Sequence, residues 1–149
     1  MRRHLQLRHS ITTQRFDARS WAIELPVAAS DVVPLACEIT LLRYGRSDQL
    51  SLLFDKGKKL MVSIAETHST VTGAADSPSS LSLGRNDAEF LLCFLLTWYR
   101  DGVAEANHID IELIGSQSAG EDCTLVVQAE NSRPPIPGDE AERILREMP

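Results

Sequence analysis

Between Asn86 and Gly102 the chain carries Phe90, Leu91, Leu92, Cys93, Phe94, Leu95, Leu96, Trp98 and Tyr99, with almost no polar residue among them. Asn86 is placed to cap a helix, Glu89 follows three residues later as in a capping box, and Asp87 suits the first turn. Gly102 supplies the left-handed stop, so the pattern predicts a helix running to about Arg100. A helix lying on a protein surface shows an apolar stripe, and this one is apolar nearly all round. It is also too short for a bilayer, which takes ~20 residues per span. The segment therefore demands a cover. We expect a sheet on one side, with loops or the C-terminal helix on the other, and Phe90, Phe94 and Trp98 are the residues to watch as an interface if the cover is a partner.

Alternation of apolar and polar residues supplies that sheet. Trp21, Ile23 and Leu25 alternate up to Pro26, and Cys37, Ile39 and Leu41 alternate through Glu38 and Thr40. Leu50, Leu52 and Phe54 face Leu60, Val62 and Ile64 across Asp55-Lys56-Gly57-Lys58, a hairpin signal. His68 to Thr72 extends the sheet, and the serine-rich stretch Gly73 to Leu83 reads as a loop. Strands are expected over 107–114 and 122–129, joined by Gly115 to Glu121. A Pro-rich linker at 130–138 leads to a short amphipathic helix capped by Asp139, with Ala141, Ile144, Leu145 and Met148 on one side. Strands and helices are grouped and do not alternate as βαβ units, so the expected class is α+β. The expected architecture is a mainly antiparallel sheet of about five to seven strands, packed on one long apolar helix, with a short C-terminal amphipathic helix. The whole chain, 1–149, reads as a single domain in which 1–19 form a basic leader, and no period suggests a repeat array.

Charge narrows the function. The chain holds 15 basic and 21 acidic side chains, a net charge of −6. Residues 1–19 carry five arginines against Asp17, a balance of +4 that leaves −10 for the rest, with eleven acids from Asp101 onward. Such a field disfavours nucleic acid and anionic membrane as partners and favours a basic protein. Cys37, Cys93 and Cys123 are widely spaced and read as reduced, buried thiols of a cytoplasmic protein.

The motifs of nucleotide binding, zinc hydrolysis and serine catalysis are absent from the sequence. One candidate site is left, His108-Ile109-Asp110-Ile111-Glu112-Leu113, whose polar members share one face of a strand. Alternate residues are ~6.6 Å apart, so His108 and Glu112 stand ~13 Å apart. Ligands ~2.0–2.2 Å from one zinc ion do not come from backbone so far apart, and no metal or other cofactor is expected. With Glu24 and Glu38 these residues are expected to form an acidic sheet face. In size, acidity and element order the chain is similar to bacterial immunity proteins, which implies neutralisation of a toxin or effector. A dimeric secretion-chaperone-like module is the alternative, the apolar helix then serving a homodimer seam. A small enzyme using His108 and Asp110 as an acid–base pair is the second alternative.

Overall fold

The structure, a computed structural model, describes all residues except 1, 75–76, 116–121, 135–137 and 149. In chain order it contains β1 (Arg2–Gln6), β2 (Thr12–Arg15), β3 (Ser20–Val27), α1 (Val32–Arg43), β4 (Gln49–Leu53), β5 (Lys59–Ala65), β6 (Thr70–Ala74), β7 (Ser77–Gly84), α2 (Arg85–Asp101), β8 (His108–Gly115), β9 (Asp122–Ala129) and α3 (Gly138–Glu147). The nine strands form one sheet in the order β1-β4-β5-β7-β6-β8-β9-β3-β2. Strands β1·β4, β3·β9, β5·β7 and β6·β8 pair parallel, and the four remaining pairs are antiparallel.

The α+β character stands, but the expected architecture does not. The sheet is mixed, has nine strands, and packs on two helices rather than one. The added strands come from stretches whose sequence does not advertise them. The basic leader supplies β1 and β2, and the serine-rich stretch supplies β7. There the serines and threonines bond across strands on the polar face: Ser63 to Ser82 at 2.9 Å, and Thr72 to Ser80. Leu81 and Leu83 meanwhile fill the core. Residues 32–43 are helical because Leu35, Ile39 and Leu42 fall on one buried face, a spacing that outweighs the alternation at Cys37, Ile39 and Leu41. Pro34 sits in the first turn, where its missing N–H costs nothing. Pro26 does not end β3; it lies past Glu24, the last β3 residue paired to β2. Gly102 does terminate α2, in the left-handed conformation (φ 78°), while the N-cap is Gly84 rather than Asn86. Cys37 and Cys93 are exposed, and only Cys123 is buried.

A repeat organises the whole. Each half reads strand–strand–helix–strand–strand: β2, β3, α1, β4, β5, then β6, β7, α2, β8, β9. The buried residues of α1 are Val32, Leu35, Ala36, Glu38, Ile39 and Leu42. One constant shift carries them onto Ala88, Leu91, Leu92, Phe94, Leu95 and Trp98, which is the buried set of α2. The strand registers repeat as well. Leu50, Val62, Leu81 and Val71 form one row across the sheet, and Ile111, Leu125, Ile23 and Thr13 form the matching row. The halves are interlaced, since β3 of the first pairs with β9 of the second and β7 with β5.

The strand order puts β1 and β2 at opposite ends of the sheet, yet only Leu7 to Ile11 connect them. A flat nine-stranded sheet is ~38 Å wide, and the connection reaches at most ~22 Å. The sheet therefore curls until its ends approach, with Leu7 and Ile11 buried at the closure. The apolar rows, both helices and this connection form one core cluster. The predicted C-terminal helix exists, but no residue of α3 is buried, so its apolar side, including Leu145, is open.

Candidate functional site

The curled sheet is sealed unequally. In the first half β1 lies along the whole of β4, from Arg2↔Gln49 to Gln6↔Leu53. In the second half β6 meets β8 only at Thr70↔Ile114 and Val71↔Gly115. Over 108–113, β8 has no strand beside it on that side among the described residues. A groove of about 1270 Å³ lies there, between β8, the 66–69 turn and the first turns of α2.

The turn touches β8 only at its end, where the Ser69 carbonyl accepts from the Ile114 amide, and specific contacts hold it against α2. Ser69 Oγ accepts from the Gly84 amide at 2.8 Å and donates to Asp87 Oδ2 at 2.5 Å. A Cβ on Gly84 would stand 2.2 Å from the Thr67 carbonyl oxygen, so only glycine lets the turn pack here. This explains Gly84 at the junction of β7 and α2 better than its capping role does.

Five consecutive residues, Asp110 to Ile114, line the groove. Side chains alternate between faces of a strand, so an unbroken run means that the groove meets β8 edge-on. Five acids stand around it: Glu66, Asp87, Asp110, Glu112 and Asp122. No lysine or arginine belongs to the described lining, although Arg85 reaches Glu66 at 3.3 Å. The floor is apolar, with Ile111 and Leu113 from β8 and half-exposed Phe90 from α2. A smaller cavity of about 210 Å³ shares Phe90 and runs on along α2 to Phe94 and Ile109.

The sequence-predicted residues divide between this site and other places. His108, Asp110 and Glu112 share the exposed face of β8, with His108 Nε2 3.6 Å from Asp110 Oδ1 and His108 Nδ1 2.6 Å from Asn107 Oδ1. Glu24 is on the same face of the sheet: it and Asp110 both lie opposite Val126, about two strand spacings (~10 Å) apart. Glu38 is not on the sheet. It sits on α1, is nearly buried, and takes two hydrogen bonds from Arg3 of β1, at 2.7 and 2.9 Å. Phe94 and Trp98 are core residues in an edge-to-face pair 6.1 Å apart, and only Phe90 of that trio is open. No three His, Cys, Asp or Glu residues are grouped to hold a metal ion among the described residues. Glu66 and Asp87 escape sequence reasoning because the Gly84 contact and Ser69 hold the turn against the start of α2, and Asp122 because the β9 register sets it opposite Ile114.

Among the described residues no helix is long and apolar enough to cross a membrane. No family model matches the chain, and no curated protein or solved structure is significantly similar to it.

Proposed function

We propose that this chain is a small acidic protein-binding module of the immunity type, which neutralises a basic toxin or effector through the groove beside β8. The observation that carries the reading is the groove's composition: five acids and no lysine or arginine in its described lining, over an apolar floor. Charge of one sign in a concave site steers a partner of the opposite sign and excludes like-charged ones. An apolar floor gives that encounter something to bury.

The test is capture from the native host with wild type and with the Asp110→Lys/Glu112→Lys variant. Both side chains are exposed, so the reversal leaves the core alone. Wild type should retain a basic protein that the variant binds on the order of tenfold more weakly or worse, with salt eroding the difference. Equal retention by both removes the groove from the reading.

A second reading draws on a different surface. Leu96 and Tyr99 on the outer side of α2 are exposed, which suits a homodimer seam like that of a secretion chaperone. Sedimentation then gives twice the 16.5 kDa chain mass, and Leu96→Lys restores the monomer.

A further inference from the structure

We propose that the partner binds by donating a strand to the open edge of β8, laid parallel to it in the place that β1 occupies on β4. This deepens the protein-binding reading and rests on it, adding the mode of binding and the sequence chemistry of the donor. Backbone N–H and C=O groups along a strand edge demand partners, and an unpaired edge is a template for another chain. In the first half the demand is met from within. The row Val71–Leu81–Val62–Leu50 continues to Arg3 on β1, whereas among the described residues the matching row Thr13–Ile23–Leu125–Ile111 stops at Ile111. The residues that precede β6 cannot fill the gap, because Ser69, Gly84 and Asp87 hold the turn against α2.

The repeat also specifies the donor. Donor residues beside Ile109, Ile111 and Leu113 face the helices, and those beside Asp110 and Glu112 face the other way. On the helix side Phe94 stands where α1 has Glu38. The donor therefore carries an apolar residue where β1 carries Arg3, the residue bound to Glu38. On the opposite side Asp110 and Glu112 call for lysine or arginine. Because the Ile114 amide bonds to the Ser69 carbonyl at 2.9 Å, a parallel donor ends before that point. The donor is thus about five residues of extended chain, alternating apolar and basic, the strand-addition mode of peptide recognition.

The probe is an acetylated, amidated peptide, Lys-Val-Lys-Val-Lys-Val, titrated against the full chain. Two derivatives are N-methylated, one on its lysines and the other on its valines. Each loses the donors of one strand edge only, because successive amides point to opposite edges. Strand addition predicts that one derivative binds like the parent. The other weakens on the order of tenfold to a hundredfold, the equivalent of two or three hydrogen bonds. The parent should also slow amide exchange over 108–113, and Phe90→Lys should weaken it while Leu96→Lys, on the outer side of α2, should not. If both methylated peptides bind like the parent, strand addition is overturned and the acidic groove survives as a charge-only site. If no basic peptide binds, strand addition is likewise overturned, and the charge-reversal capture experiment alone then decides the broader reading.

Discussion

The two halves of this chain have the same helix burial pattern and the same strand registers, yet they finish their outer edges differently. In the first, β1 zips along β4 and clasps α1 through Arg3 and Glu38. In the second, the corresponding stretch turns away after Ala65 and leaves β8 beside a groove. The core is therefore not what distinguishes them. The same layer of apolar side chains supports a closed edge on one side and an open one on the other, and the open one collects the acids. A fold that completes itself once has the geometry to be completed a second time by another chain.

Removing Arg2 to Gln6 makes the halves alike and is the harshest test. It opens the edge of β4, strips half-buried Leu5 from the core and leaves nearly buried Glu38 without Arg3. A loss of about 3 kcal/mol is expected, a large share of the ~5–15 kcal/mol that holds a domain folded. The urea midpoint measures it, and adding the peptide Arg-Arg-His-Leu-Gln in trans should raise the midpoint again. An unchanged midpoint on deletion means that β1 does not seal the first half.

A gentler change sharpens the same comparison. Glu38→Phe alone removes the carboxylate that takes two hydrogen bonds from Arg3, and Arg3→Val alone strands Glu38. Together they copy the chemistry that Phe94 gives the second half. Replacing an ion pair by apolar side chains is often near neutral, while breaking one partner is not. The double variant is expected within about 1.5 kcal/mol of wild type and above both single variants, a coupling that a double-mutant cycle reads directly. Additive losses would show that the two halves accept different chemistry for a reason other than this pair.

Much of the scaffold was legible because it obeys one period at a time. The hairpin at Leu52↔Leu60, the strands β8 and β9, and Gly102 at the end of α2 follow from alternation and turn chemistry. Residues 32–43 carry both periods at once, and tertiary packing chose the helical one. The serines of β7 read as loop because their hydrogen-bond partners, Ser63 and Thr72, lie on other strands. The repeat was hidden for a related reason: what it preserves is burial, and one buried position holds Glu38 in one half and Phe94 in the other. Of the site, the exposed face of His108, Asp110 and Glu112 was legible along one strand. Glu66 joins it through the close packing of Gly84 against Thr67, and Asp87 and Phe90 through the placement of α2 beside β8, a tertiary arrangement that no local pattern encodes.

The smallest expected effect concerns a strap that, among the described residues, only the second half has. After β9 the chain returns to the end of α2, where the Ala104 amide bonds the Asn131 carbonyl at 3.1 Å and the Arg133 amide bonds the Ala104 carbonyl at 2.8 Å. Asp101 ties this together, accepting from Arg100 at 2.8 Å and from Arg133 at 3.4 Å. The hydrogen bond from Arg100 holds its carboxyl below the ordinary carboxylate range; partial desolvation opposes this, and Arg133 reinforces it. A carboxylate whose folded pKa is depressed stabilises the fold above its unfolded value, ~3.9 for aspartate, and that contribution fades as pH falls through the lower folded value. The strap should thus hold at neutral pH and loosen only in acid below about pH 4. Solvent screening keeps the global effect small, so the readout is local: opening free energies from exchange of the Ala104 and Arg133 amides, corrected for intrinsic exchange rates, compared with the α1 amides of the strapless half. Asp101→Asn should lose the acid-linked part of that change, and a variant that keeps it would place the titrating group elsewhere.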